Sequence, residues 1–258
     1  MRLYLRYFAI HLKSQMQYKT SFFFTALGQF LASFTAFLSV YFLFDRFHQV
    51  EGFTFEEVLL CFSVVLFAFS LAECFARGFD TFPSMIGNGE FDRILVRPRS
   101  LVFQVLASKM EFSRFGRLLQ AVLMLFFALP RCNVEWTAAR VGVLLLMVVC
   151  GVALFSGLFV VYASLSFFTL EGLEFMNIFT DGARTFGQYP FSIYGKRVLG
   201  FLTYVIPLAL FQYYPFLFLI GRSNSLMYAF SPVLSLWFLL PCYLLWRVGV
   251  RRFQSTGS

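Results

Sequence analysis

Long apolar runs with few charges, separated by short polar segments, set the pattern of this chain. They cover approximately residues 20–44, 54–79, 112–130, 140–170 and 226–246. An α-helix needs roughly 20 apolar residues to cross about 30 Å of hydrocarbon. The pattern therefore predicts a membrane-spanning helix in each run and leaves one apolar but interrupted segment, residues 171–221, to be interpreted separately.

The second run opens on a helix-start signal. Thr54 stands immediately before it, and Glu57 follows three residues later. In such a capping box the threonine oxygen accepts a hydrogen bond from a backbone N–H at the helix end, and the glutamate accepts one from the threonine N–H. We therefore expect a helix that begins next to Thr54 and continues to about residue 79, with Glu73 and Arg77 near its end.

Residues 171–221 permit two interpretations. In the first, a loop is followed by a plain fifth span over residues 200–220. In the second, residues 171–190 form a polar fifth span, and a re-entrant hairpin follows it. Hydropathy favours the first, whereas Pro207 and Pro215 favour the second, because proline removes a backbone donor and interrupts a straight helix. Both interpretations place the two termini on the same side of the membrane.

The composition agrees with a lipid environment. The chain is 59% hydrophobic and 13% charged, with a mean hydropathy of +0.75, whereas a soluble domain is nearer half apolar and a quarter charged. Its 39 phenylalanines are too many for one water-soluble core of this length. The predicted fold class is an all-α polytopic membrane protein in a single domain, residues 1–258.

The distribution of lysine and arginine predicts the orientation. The N-terminal segment holds four of them, the segment from Arg77 to Arg117 holds seven, and the C-terminal tail holds three. The two other certain loops hold Arg46, Arg131 and Arg140. By the positive-inside rule both termini face the cytoplasm. The net charge of +8 is accounted for in this way, and we expect no nucleic-acid partner.

Candidate catalytic chemistry is sparse. The five cysteines form no CxxC pair, and the two histidines, His11 and His48, are far apart. A phosphate-binding loop needs G-x-x-x-x-G-K-[ST], but Gly195-Lys196 is followed by arginine and has no glycine five residues earlier. We expect no metal site, no catalytic residue and no cofactor in this chain.

The sequence predicts an amphipathic helix over the N-terminal residues 1–19. At 100° per residue, Arg2, Arg6 and Lys13 fall within one narrow arc, away from the aromatic side chains. Such a helix lies in the membrane interface with its cations toward lipid phosphates. The alternative is an N-terminal extension of the first span with basic flanks.

A compact charged segment, GNGEFDRILVRPRS over residues 87–100, interrupts the apolar sequence. Its glycines predict a helix break, Pro98 a stop, and Ser100 the cap of a following helix. Phe91, Ile94 and Leu95 are spaced to form one apolar edge of a short helix between these signals. Such an edge suits docking into a partner's groove. The alternative is a solvated loop whose arginines only set the topology.

Two motifs carry a resemblance to a known family. Residues 89–98, GEFDRILVRP, are similar to a G-x-h-D-x-x-L-h-R-P signature. Downstream, YPFSIY at residues 189–194, VIP at 205–207, Tyr214-Pro215 and LIG at 219–221 are similar to a second pattern of the same subgroup. By these motifs and the order of its spans, the chain resembles the ABC-2-type permeases of ABC transporters over nearly its whole length.

The resemblance implies a specific architecture. It has six transmembrane helices, an elbow helix over residues 1–19, a cytoplasmic coupling loop over 80–110 and a re-entrant extracellular hairpin over 195–221, before the last span. The elbow cations are Arg2, Arg6 and Lys13. The residues implied for ATPase coupling are Glu90, Phe91, Asp92, Arg93, Leu95, Arg97 and Pro98. The motif residues of the hairpin are Tyr189, Pro190, Pro207, Tyr214, Pro215 and Gly221.

In that architecture Asp181 and Arg184 lie within a polar fifth span. Charges inside the membrane face a protein interior or an aqueous path. These two stand three residues apart and can pair on one helix face. They are therefore either a structural ion pair or part of a translocation path.

The resemblance also implies the function and the partners. Such a permease exports its substrate as a dimer with an identical or related permease, in the membrane lipids of a bacterial inner membrane. Separate P-loop ATPase subunits hold the ATP and Mg. The alternatives are a secondary transporter, which needs coupling-ion sites and often shows repeats, and a membrane anchor for an ATPase that transports nothing. A neighbouring reading frame with a P-loop would disfavour the secondary transporter.

Overall fold

The computed structural model describes residues 2–169 and 177–254, and within these ranges the chain is helical without strands. The helices are α1 Arg2–Met16, α2 Lys19–Phe47, α3 Phe55–Asp80, α4 Phe82–Gly87, α5 Glu90–Leu95, α6 Leu101–Leu106, α7 Phe115–Ala128, α8 Ala138–Leu165, α9 Asn177–Phe186, α10 Lys196–Tyr204, α11 Leu208–Phe211, α12 Tyr213–Leu219, α13 Leu226–Ser235 and α14 Leu239–Arg252. Short 3-10 turns precede α7 and α10 and join α13 to α14.

Among the described residues, four helical stretches are long and apolar enough to cross a membrane. They are α2, α3 with α4, α8, and α13 with α14, of 29, 33, 28 and 27 residues. The long apolar helices predicted in four of the runs are therefore present. The run at 112–130 forms a three-residue turn and the 14-residue α7, which is shorter than the roughly 20 residues that a crossing takes.

The centre of the described bundle is α3. In its most apolar stretch 83% of residues are buried, against 17% for α2. It packs between α7 and α8, while α14 packs on α8 and α2 on α7. Helix α2 buries little of its apolar surface, and Phe23, Phe24 and Phe42 are among its exposed side chains.

The capping box at the start of α3 is confirmed. Thr54 Oγ1 accepts from the Glu57 N–H at 3.3 Å, and the Glu57 carboxylate accepts from the Thr54 N–H at 3.0 Å. Glu57 also pairs with Arg222 at 3.0 Å. The cap therefore fixes both the helix start and a contact to the segment after α12.

We predict that Thr54→Ala lowers the stability of the detergent-solubilised protein by about 1 kcal/mol, the usual value of a threonine N-cap. Thr54→Ser keeps the hydroxyl and serves as the control. Thermal unfolding followed by circular dichroism makes the comparison. Equal melting temperatures for the two variants would contradict the prediction.

The predicted ends of two spans need correction. The last helix continues to Arg252 instead of ending at Trp246, so Arg247 and Arg251 lie within its final turns. Helix α8 runs over Ala138–Leu165 and ends earlier than predicted, because the chain turns at residues 166–168.

The segment 171–221 is not one straight helix. Helix α10 ends at Tyr204, and the helices after Pro207 continue at an angle of 87° to it. A straight fifth span over residues 200–220 is therefore wrong, since Pro207 interrupts the backbone hydrogen bonding; the bent pair is either a broken span or a re-entrant hairpin. Of the predicted polar fifth span, residues 171–176 lie outside the described residues, and α9 covers much of the remainder.

Candidate functional site

The charged segment forms a short helix between two turns, as its glycines and Pro98 predict. Helix α4 ends at Gly87, and α5 begins directly after Gly89. Gly89 adopts φ +68°, a left-handed conformation that glycine reaches without a steric penalty. Ser100 stands at the N-cap position of α6, but its side chain makes no capping hydrogen bond, so that part of the prediction is wrong.

The apolar edge of α5 faces the interior of this chain. Phe91 is 0% exposed, with ring centroids 5.1 Å from Phe82, 5.4 Å from Phe167 and 5.0 Å from Phe253. Ile94 is buried in the same core. The predicted docking of Phe91 into a partner is therefore wrong, since its side chain has no surface left for one.

The opposite side of α5 and the turn after it are exposed. Val96 is 84% exposed and Leu95 40%. We call this patch the α5 surface; its members are Glu90, Arg93, Leu95, Val96, Arg97 and Pro98. Asp92 is half-buried and has an interaction of its own. The structure thus divides the predicted coupling residues into an outward surface and the inward anchor Phe91.

The aromatic packing around Phe91 extends to the last helix. Trp246 of α14 is buried, and its ring lies 5.0 Å from Phe82 and 5.2 Å from Phe167. Gly249, one turn further, lies so close to Phe167 that a Cβ atom there would collide with the ring. Helices α4, α5 and α14 and the end of α8 are therefore packed together as one unit.

Helix α1 is docked on the segment that follows α5. Phe8 packs edge-to-face on Phe112 at 4.9 Å. His11 Nε2 lies 3.0 Å from the Ala107 carbonyl oxygen, and Gln15 accepts from the Phe112 N–H at 3.0 Å. The predicted elbow helix is thus fixed to the segment that leads into α7.

The cations of α1 lie on its free side. Arg6 and Lys13 are exposed, and the side chain of Arg2 lies outside the described residues. This arrangement agrees with the predicted amphipathic pattern. That the helix lies in the membrane interface stays a prediction.

Six charged side chains converge where α3 meets the start of α7. We call them the ionic cluster: Glu73, Arg77, Asp80, Glu111, Arg114 and Arg117. Three are acidic and three basic, so the charges balance. Burying charges is costly unless they are paired and hydrogen-bonded, and each member pairs within the cluster.

Glu73 is the centre of the ionic cluster and is only 3% exposed. Arg117 donates to its carboxylate. The guanidinium groups of Arg114 and Arg77 lie 3.6 Å and 3.7 Å from the same carboxylate. Gln29 of α2 accepts from Arg117 at 2.7 Å and from Arg114 at 3.0 Å. The cluster therefore joins α2, α3 and the start of α7.

The predicted pair in α9 is present. Arg184 lies 3.6 Å from Asp181, and its guanidinium lies 5.4 Å from the ring centroid of Phe69 on α3. Arg117 lies on the same ring at 5.7 Å. The pair is thus next to the ionic cluster, and a role in a translocation path stays a prediction.

The hairpin residues form their own polar contacts. Tyr214 hydroxyl lies 3.2 Å from the Thr203 hydroxyl, and Tyr194 hydroxyl donates to the Phe186 carbonyl at 3.0 Å. Pro190, Pro207 and Pro215 are buried, Tyr189 is partly buried, and Gly221 adopts φ +75°. Arg222 donates to the Gly52 carbonyl and lies over Phe53 at 4.0 Å. The segment is therefore attached to the loop between α2 and α3.

Sequence reasoning missed Gln212, which is wholly buried. Its amide nitrogen donates to the carbonyl oxygens of Gly187 and Tyr189, both at 3.1 Å. A polar side chain inside an apolar run must find hydrogen bonds, and that was the available signal. Gln212 holds the hairpin to the end of α9.

Among the described residues no group of three or more histidine, cysteine or acidic side chains is arranged to hold a metal ion. Comparison with known proteins gives one result for the chain. A family model described as ABC-2 family transporter protein matches residues 30–257. No curated protein and no solved structure matches it.

Proposed function

This chain belongs to the ABC-2 transporter family, and from that premise we propose that it forms the translocation path of an ATP-driven exporter as a dimer with a second permease chain. It is a multi-pass permease component of an ABC transporter. The proposal adds that separate ATPase subunits drive it through the α5 surface. One observation carries this addition: α5 presents an exposed valine among charges while its other face is locked into the bundle.

The α5 surface has the chemistry of a docking site. Val96 and Leu95 offer apolar contact, and Arg93 and Arg97 beside them are exposed for ion pairs. Interfaces of this kind combine an apolar centre with a polar rim. Val96 is 84% exposed in the turn that directly follows α5, and Phe91 fixes that helix from behind.

The packing behind α5 offers a route for the applied force. A displacement of α5 acts on Phe91 and through it on Phe167 and Phe253. It therefore reaches the turn after α8 and the residue that directly follows the last helix. Coupling requires that the ATPase binds this surface differently in its two nucleotide states, so ATP and Mg act on the partner subunit and movement reaches this chain by contact.

The proposed topology has six spans, both termini in the cytoplasm and a bacterial inner membrane as the location. Residues 17 and 18 then lead from an interfacial α1 into α2. The hairpin of α10 to α12 enters from the outer side. The contact of Arg222 with Glu57 supports this placement, because Glu57 is at the opposite end of α3 from α4 and α5.

We predict that Val96→Asp reduces co-purification of the ATPase at least tenfold. Burying a valine is worth about 1.5 kcal/mol or more, and about 1.4 kcal/mol corresponds to tenfold in affinity. Gln254→Asp places the same charge at an exposed position outside the α5 surface and should leave co-purification unchanged. Equal behaviour of the two variants would remove α5 from the interface.

A pull-down of the tagged chain from its native membrane in mild detergent, with mass spectrometry, tests the assembly. A P-loop ATPase is expected with it. A second, different permease would establish a heterodimer, and its absence together with dimeric size a homodimer. Recovery of the chain alone, even after cross-linking, would overturn the proposed assembly.

A further inference from the structure

A groove of about 240 Å³ opens between α6 and α14, next to α5. Arg247 and Arg251 of α14 form its charged wall, and Ser100 at the start of α6 faces them. Val102 and Val250 contribute apolar lining. The groove is thus cationic on one side and apolar at its base.

The two arginines stand on one face of α14, and no acid of the described residues compensates their charge. They are four residues apart, so their side chains are neighbours on the helix. No carboxylate of the described residues lies within ion-pair distance of either guanidinium, and no acidic residue lines the groove. Like charges at this spacing repel, and an anion held between them would remove the repulsion.

The same face of α14 continues as an exposed apolar stripe. Leu240, Tyr243 and Leu244 precede Arg247 by seven, four and three residues, and all three side chains are exposed. Tyrosine and tryptophan are typical of the level where membrane headgroups meet hydrocarbon. A ligand with an anionic head at the arginines and an acyl chain along the leucines fits this sequence of groups.

We propose that the groove binds the phosphate of an anionic phospholipid from the cytoplasmic leaflet. Guanidinium groups match phosphate oxygens with paired N–H donors, and the Ser100 hydroxyl adds a donor from the facing helix. Basic pockets between helices on the cytoplasmic side are suited to such headgroups. A bound lipid would join α14 to α6 and so hold the segment that follows the α5 surface. The leaflet rests on the proposed orientation, whereas the binding chemistry does not.

The test measures lipid binding to the purified full-length chain in mild detergent by native mass spectrometry. Phosphatidylglycerol is titrated against phosphatidylcholine for the unchanged protein, Arg247→Gln, Arg251→Gln and Arg252→Gln. Arg252 is the matched control, because it is exposed on the same helix end but does not line the groove. Arg251→Lys keeps the charge and loses the paired donors.

The unchanged protein should prefer phosphatidylglycerol, and each groove arginine removed should weaken that binding about fivefold, since one basic residue near an anionic surface contributes about 1 kcal/mol. Arg252→Gln should bind as before, and Arg251→Lys should be intermediate. An equal loss for Arg252→Gln, or no preference between the lipids, would overturn the proposal.

Two further outcomes would also overturn it. Displacement of phosphatidylglycerol by millimolar inorganic phosphate would make this a site for free anions. Loss of ATPase association in Arg247→Gln with unchanged lipid binding would make it a protein contact. Because lipid binding is measured on the permease alone, its failure is distinct from a failure of the proposed ATPase coupling.

Discussion

Replacing Phe91 by alanine is expected to destabilise the protein by about 3–5 kcal/mol, the usual cost of deleting a buried phenylalanine ring. The ring contacts Phe82, Phe167 and Phe253 with centroid distances of 5.0–5.4 Å. Edge-to-face pairs add about 0.5–1.5 kcal/mol each beyond the buried area. The loss should also disconnect α5 from the last helix, so ATP-dependent activity of the assembled transporter should fall.

Leu95→Ala is the matched control for Phe91→Ala, since Leu95 is on the same short helix but 40% exposed. Leu95→Ala should change the melting temperature in detergent only slightly. It should weaken ATPase association more than Phe91→Ala does. The contrary pattern is informative. A Phe91→Ala protein with unchanged stability and lost ATPase association would mean that Phe91 contacts the ATPase directly. Its position on the apolar edge of the short helix predicts such a contact from the sequence.

Removing Glu73 is expected to destabilise the protein by about 3–5 kcal/mol, because breaking a buried ion pair leaves uncompensated charge inside. Glu73→Ala leaves Arg117 with Gln29 as its hydrogen-bond partner and brings a net positive charge to the ionic cluster. Thermal unfolding in detergent measures the loss. Asp181→Asn is the control, since the Asp181 side chain is 58% exposed and its pair with Arg184 should contribute less than about 1 kcal/mol.

A double-mutant cycle tests whether the pair acts as a unit. In Glu73→Ala with Arg117→Met, the second change removes the charge that the first leaves unpaired. The combined destabilisation should therefore be smaller than the sum by about 0.5–3 kcal/mol. Strictly additive effects would show that the two side chains are independently solvated and that the ionic cluster is not a structural joint.

The membrane-spanning helices and the capping box were predictable because they depend on local sequence. The length of an apolar run and the Thr54–Glu57 spacing can be recognised without knowing what the helix packs against. Residues 112–130 were predicted less well, since a tight turn before α7 shortens the helix. The positions of prolines predicted that residues 200–220 are interrupted, but not the angle of 87°, which depends on packing.

The direction in which α5 faces was not predictable. The spacing of Phe91, Ile94 and Leu95 defines an apolar edge, but one short edge does not say whether a partner or the chain itself covers it. The covering residues Phe167 and Phe253 are far away in sequence. Long-range contacts of this kind leave no local periodicity.

The ionic cluster was hidden for the same reason. Glu73 lies near the end of an apolar run, and Arg114 and Arg117 belong to the basic segment that predicts the orientation. Their distance from Glu73 in sequence, 44 residues for Arg117, gives no local signal. The physical rule that a buried carboxylate needs partners predicts that such arginines exist, but not which ones.

Cross-linking from Val96 tests the central claim most directly. All five native cysteines are buried, so Val96→Cys supplies an exposed thiol for a bifunctional reagent in native membranes. Phe47 is exposed at the C-terminal end of α2, and Phe47→Cys is the control. The account predicts a covalent adduct between position 96 and a P-loop ATPase, identified by mass spectrometry, and none from position 47. No ATPase adduct from position 96 in membranes that contain the assembled transporter would contradict it.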